Sequence, residues 1–212
     1  MIDTHFHVWH RADAAQAGIL ATHYLQRDFT WDDFCGAWDG LPVERCVEVQ
    51  VKRLSPPEAR FGGEIAERDR RLGATWAGRT CESPRAAADL EALLAFPLVR
   101  GIHRTLQFET DPRYALTEGY IHGARLLGDR GLVYELCVWH EQIESMPGLV
   151  RAYPNTQFVL QHIGKPDLSR PPTAGWLRTI DELRESPNMA SKLSVVNRDT
   201  DPPPIDRGGG VL

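Results

Sequence analysis

Leu132-Val-Tyr-Glu-Leu-Cys-Val138, a helical pattern over Glu141–Tyr153, and Gln157-Phe-Val-Leu-Gln-His-Ile163 decide the fold. The two apolar runs are short and rich in β-formers, as buried strands are. The segment between them has the length and pattern of a helix, so the unit reads strand, helix, strand. Working toward the N-terminus, Leu98-Val-Arg-Gly-Ile-His-Arg104 reads as another strand, Ala74–Arg79 as a weaker one, and Arg45-Cys-Val-Glu-Val-Gln-Val51 as a strongly alternating one. Met1-Ile-Asp-Thr-His-Phe-His-Val-Trp9 suits a short first strand and loop, and Met189–Ser194 a seventh. Helical patterns fall at Pro57–Leu72 after Ser55, Ser83–Phe96 with Ser83 as cap, Tyr114–Asp129 and Thr173–Glu185. The expected class is α/β with parallel strands: a TIM-like (β/α)8 barrel, incomplete at about seven strands.

The chain has 212 residues, and a closed barrel of this kind typically takes about 250. Apolar residues are 42% and charged residues 25%, the composition of a globular domain. The net charge of -5, without a long basic run, argues against nucleic acid as a partner. No run of 18 apolar residues is present, so no membrane span is expected. Cys35, Cys46, Cys81 and Cys137 form no C-x-x-C pair. Scattered free thiols suit a reducing cytosol, so a cytoplasmic location is expected. Cys46 and Cys137 fall within apolar runs and are expected in the core.

His5-Phe6-His7 carries the chemistry. Residues two apart on a strand share a face, so both imidazoles can converge on one point. Imidazole is a common ligand of zinc and related divalent metals. By itself the pair reads more readily as two partly exposed histidines at a strand end. The wider pattern Asp3-Thr-His-Phe-His7 at the start of a βα chain resembles the amidohydrolase superfamily. Val99–Gln107, Gly131–Val138, Tyr153–Asp167 and Ser191-Lys-Leu-Ser194 narrow the resemblance to the amidohydrolase-related (amidohydrolase 2) group of sugar-lactone and 2-pyrone-4,6-dicarboxylate lactonases.

That resemblance implies a hydrolase acting on a small-molecule lactone. It implies catalytic or metal-binding roles for His5, His7 and His162, with zinc or manganese as the cofactor or with the histidines polarising the carbonyl unaided. His162 taken alone reads also as a buried, hydrogen-bonded histidine. Gln50, His103, Arg104, Trp9 and Lys165 are candidate substrate-binding residues. Arg104 either anchors a substrate carboxylate through its two parallel donors or forms an ion pair on the rim. Lys165 either meets an anionic substrate or is a surface lysine. Tyr134 and Glu135 alternate, so one of the two points into the barrel.

Residues 1–194 are expected to form the barrel domain, and 195–212, with Pro202-Pro-Pro204 and Gly208-Gly-Gly210, an irregular tail. The family places a catalytic aspartate after an eighth strand. Asp199, Asp201 and Asp206 follow no apolar strand, and the resemblance is expected to end near Ser194, as in a truncated or frame-shifted chain. Unpaired edges at the first and seventh strands would then invite homo-oligomers. A decarboxylase of the same superfamily, or a non-catalytic fragment that binds a partner, are the competing readings.

Overall fold

The computed structural model describes residues 1–12, 27–50, 56–78, 81–167 and 170–194. Its strands are β1 (Ile2–Phe6), β2 (Arg45–Val49), β3 (Leu72–Gly78), β4 (Val99–Thr105), β5 (Val133–Cys137), β6 (Gln157–Leu160) and β7 (Met189–Ser191). All neighbours are parallel and their order in the sheet is their order in the chain. Parallel neighbours need crossovers, and helices supply them. They are α1 (Trp31–Ala37), α2 (Pro56–Arg68), α3 (Ala86–Leu94), α4 (Glu118–Gly128), α5 (Met146–Ala152) and α6 (Ala174–Arg184).

The sheet is curled. His5 on β1 and His162 just beyond β6 have ring centroids 4.7 Å apart. Five strand spacings would hold them about 24 Å apart in a flat sheet. The seven strands therefore wrap into an open, incomplete barrel, with β1 and β7 unpaired with each other.

Burial on the outer face follows from apolar side chains on alternate strand positions meeting one stripe of each helix. Ile102, Tyr134, Leu136, Phe158 and Leu160 from the strands pack with Leu90, Leu93, Tyr120, Leu127 and Leu149 from the helices. A second cluster joins Phe6, Trp31, Trp38, Cys46, Ile65 and Leu72. Cys46 and Cys137 are buried strand residues, as their runs predict, and all four cysteines are free.

Helix α1 has no counterpart in the sequence reading. Thr30 caps it, accepting from the Asp33 backbone while the Asp33 carboxylate accepts from the Thr30 backbone, a reciprocal capping box. Its Phe34 stacks on Phe6 with centroids 3.9 Å apart. Strand β1 carries a bulge: Asp3 pairs with Cys46 and Phe6 with Glu48, leaving two residues opposite one. The extra residue lets Asp3, bound by the Trp38 indole N–H at 3.1 Å, and Phe6 both face the helices while His5 points inward.

Most boundaries shift from the sequence reading, the helix after β5 to Met146–Ala152 among them, and three shifts bear on the site or its helices. The sixth strand ends at Leu160, not Ile163, because His162, Ile163, Gly164 and Lys165 all have φ between 46° and 71°. A left-handed run cannot continue a β ladder. The seventh strand stops at Ser191. Helix α3 begins at Ala86 with no side-chain cap; the Ser83 carbonyl, not its hydroxyl, accepts from Ala86. Ser55 and the expected tail 195–212 lie outside the described residues.

Gly101 on β4 faces Val133 on β5, where an added Cβ would lie 2.7 Å from the Val133 carbonyl oxygen. Gly101→Ala is therefore expected to lower stability by about 1–3 kcal/mol through overpacking. Urea unfolding checks this, the midpoint falling while the slope stays constant.

Candidate active site

The C-terminal ends of the strands carry two groups of polar side chains inside the barrel, the end where barrels of this class place their chemistry. The first group is three imidazoles. His5, within the β1 bulge, and His7, just past it, bring their Nε2 atoms to 3.0 Å. His7 Nδ1 lies 2.5 Å from the Val49 carbonyl oxygen. A carbonyl only accepts, so Nδ1 carries the proton and Nε2 is bare. His162 joins them through the ring contact with His5, and its Nδ1 is 2.8 Å from Ser194 Oγ.

These rings are held neutral. Burial pushes His7 down to about 4 against the opposing Val49 hydrogen bond, and burial with the Lys165 charge pushes His162 down to about 3. His5 is held far below the usual imidazole range, first by burial and then by His7 and Lys192. Neutral imidazoles with bare nitrogens are what a metal or an electrophilic site requires. Two Nε2 atoms 3.0 Å apart span one cation at the usual metal–nitrogen distance of about 2.0–2.1 Å. The bare His7 Nε2 otherwise accepts from His5 Nε2, which leaves His5 Nδ1 buried without a hydrogen bond among the described residues. The pair thus fits a divalent cation as two ligands. Among the described residues no group of three or more His, Cys, Asp or Glu is spaced as a finished metal cage.

The second group is a network around Glu135, which is 0% exposed. Its carboxylate accepts from His103 Nδ1 at 3.0 Å and from the Gln161 amide at 2.5 Å, and it forms an ion pair with Lys192. One residue comes from each of β4, β5, the turn after β6, and the residue after β7. Tyr134, of opposite parity, stacks on Tyr120 at 4.9 Å in the outer layer. Burial alone would raise the Glu135 carboxyl, but the His103 hydrogen bond and the Lys192 charge outweigh it and hold it below the usual range. Burial likewise lowers Lys192, opposed in part by Glu135.

The remaining candidates divide. His103 lies in the network. Gln50 is buried beyond β2; its Oε1 accepts from the Gly78 backbone at 3.3 Å, and its Nε2 has no hydrogen bond among the described residues. The Lys165 ammonium donates to Gln107 at 2.8 Å and stands 5.0 Å from the centre of the Trp139 ring. Trp9 pairs with Phe29 through two backbone hydrogen bonds of 2.9 Å, and its ring packs on Phe29. Arg104 is not brought to the histidines. One position along from His103, it faces the outer layer, where Glu82 at 2.7 Å and Glu109 at 2.5 Å engage it. Arg104 thus makes ion pairs, as one of its two readings expects. Lys192, Gln161 and Glu135 are site residues that the sequence reading did not select. A lysine ending an apolar strand, as in Met189–Ser194, is the signal that could have found Lys192.

The family comparison bears on this geometry. An amidohydrolase family model matches residues 2–209. The chain belongs to the amidohydrolase family. The match passes Ser194, so the likeness does not end where the sequence reading placed its end. One similar protein is L-fucono-1,5-lactonase of Burkholderia ambifaria, 25% identical over 206 residues, covering 96% of this chain and 70% of that one. Protein y4mH of Sinorhizobium fredii is 29% identical over 113 residues, covering 50% of this chain and only 38% of its own length. Among solved structures, an amidohydrolase of Burkholderia multivorans with bound zinc shares the fold with a TM-score of 0.79 at 24% identity, covering 91% of this chain and 68% of that one. The open barrel is thus an amidohydrolase barrel.

Two outcomes follow from the electrostatics. Glu135→Gln strands the buried Lys192 charge and should cost about 3–5 kcal/mol, whereas Glu135→Gln with Lys192→Met should cost clearly less; paired urea titrations decide. In chelator-treated protein the unfolded chain binds protons on His7 and His162 near pH 6.5, and the folded chain does so only near pH 4 and 3. Stability is therefore complete above pH 6.5 and falls as the pH drops toward 3, by on the order of 3 kcal/mol per ring. Unfolding curves of His162→Asn should show a shallower fall.

Proposed function

We propose that the chain hydrolyses a lactone, with His5, His7 and His162 as the catalytic group. The observation that carries this is the convergence of three neutral imidazoles from opposite sides of an amidohydrolase barrel. The lactonase similarity supports a small sugar-derived or dicarboxylate lactone as substrate. His5, His7 and His162 would hold zinc or manganese, which when bound supplies Lewis-acid polarisation of the carbonyl and an acidified water. The protein's own contribution is orientation. The Val49 carbonyl fixes His7 so that its Nε2 faces inward, and Ser194 fixes His162. Gln50 offers a donor to substrate hydroxyls from the ends of β2 and β3, and Lys165 an ammonium for an anionic edge. His103 and Trp9 complete the proposed pocket wall.

No helix among the described residues is long and apolar enough to cross a membrane. Four free cysteines support a reducing, cytoplasmic setting. Ile2 on β1 and Leu193 beyond β7 are both largely exposed at the unpaired edges, which supports association of copies there.

A pH-indicator assay over aldono-1,4- and 1,5-lactones, with and without zinc or manganese, tests the reading. Turnover is expected, with His162→Ala lower by about 100–1000-fold, as for loss of one electrostatic catalyst. Undiminished turnover in His162→Ala, or none in the wild-type chain on any lactone, contradicts it.

A further inference from the structure

We propose that the ends of β4, β5 and β6 form a carboxylate-selecting subsite. Lys165 binds a free carboxylate of the lactone and Gln107 is its positioning residue, so acid lactones are preferred over neutral ones. The inference rests on the hydrolase reading and narrows its substrate class.

Side chains alternate along β5. Tyr134, Leu136 and Val138 lie in the outer core, so Glu135 and Cys137 face inward. Cys137 is one inward position beyond Glu135, toward the end of the strand where the imidazoles lie. The Lys165 ammonium stands 3.7 Å from Cys137 Sγ and so hangs inside the mouth of the barrel. Its charge helps to hold the His162 ring neutral. A small lactone whose carbonyl meets the imidazoles therefore has this ammonium beside it.

The ammonium is held in place from three loops. Lys165 itself has a φ of 46°, and its N–H donates to the His162 carbonyl at 2.8 Å, so one left-handed turn sets both side chains. Gln107 Oε1 accepts from the ammonium at 2.8 Å and from Cys137 Sγ at 3.0 Å, which turns the amide oxygen toward the lysine. The Trp139 ring, its centre 5.0 Å away, walls the ammonium on another side. Gln142, itself 7% exposed, ties the two loops together: its Oε1 accepts from the Trp139 N–H and its Nε2 donates to the Leu106 carbonyl, both at 2.9 Å. A charge fixed before the ligand arrives loses little freedom on binding.

The amide oxygen, the thiol and the indole face are neutral, so they orient the charge without cancelling it. Glu135 below is matched by Lys192, and Asp167, the nearest acid in the chain, forms an ion pair with Arg170. Lys165, Gln107 and Trp139 are each half-buried, so a ligand entering from solvent reaches them. The indole keeps water from one side of the ammonium, which strengthens its attraction for an anion.

Paired substrates test this in the full chain: aldarolactones and aldonolactones of the same stereochemistry, differing in a carboxylate against a hydroxymethyl group. Wild-type kcat/KM should be about 10-fold or more higher for the acid. Lys165→Met should raise KM for the acid by about 10–100-fold, the worth of one hydrogen bond to a charged group, with kcat and the neutral lactone little changed. Gln107→Glu, which sets a carboxylate against the ammonium, should do the same. A merely structural role for either residue would move both lactones alike. Equal wild-type kcat/KM for the pair, or equal losses on both lactones in the two variants, overturns the proposal. A carbon-13 spectrum of the Lys165 ε-methylene reads the subsite without turnover. Its signal should shift on adding an open-chain aldarate and stay in place with the neutral alditol; no shift with the aldarate, or the same shift with both, overturns it. A wild type inactive on every lactone removes the hydrolase reading, while this titration still judges the subsite.

Discussion

The buried carboxylate of Glu135 is the constraint on which the interior depends. A charge wholly removed from water needs donors on every side. They come from three other places in the chain: His103 on β4, Gln161 after β6 and Lys192 after β7. His103 and Gln161 reach it from the strands next to β5, and Lys192, two strands away, reaches it because the sheet curls. The same curvature carries His162 across to the histidines of β1. Electrostatic satisfaction and assembly of the imidazole cluster are therefore one geometric event.

The turn after β6 is where strain is spent on placement. His162, Ile163 and Lys165 all adopt left-handed backbone, a conformation costing roughly 1–2 kcal/mol per non-glycine residue. Gly164 between them adopts it freely, and an added Cβ would lie 2.6 Å from Ile143. The Ile163 N–H binds the Lys192 carbonyl at 3.0 Å, and Trp176 donates to the Ile163 carbonyl at 3.2 Å. These contacts hold the run, and the run turns His162 back toward β1. Strained backbone at such a position is commonly tied to function.

The strands were legible because a buried parallel strand is a short apolar run, and the helices between them because of their length and facing. Helix α1 was not, since its evidence is one capping box inside an aromatic-rich stretch. At the site, the convergence of His5 and His7 was legible from period-two geometry, and their candidate role from the family resemblance. The same parity separates His103 from Arg104: alternation puts one inside and the other among Glu82 and Glu109. Lys192 and Glu135 lie far apart in sequence, and only the folded sheet reveals them as partners. The family match runs on to residue 209, through a proline- and glycine-rich stretch of sequence that carries no periodicity.

The central claim is that curvature brings the two ends of the sheet together at the imidazoles. Nuclear Overhauser contacts between carbon-13-labelled histidine rings measure this directly. A His5–His162 ring cross-peak is predicted from their 4.7 Å centroid separation. Its absence, with both rings assigned and the His5–His7 peak present, would contradict the account.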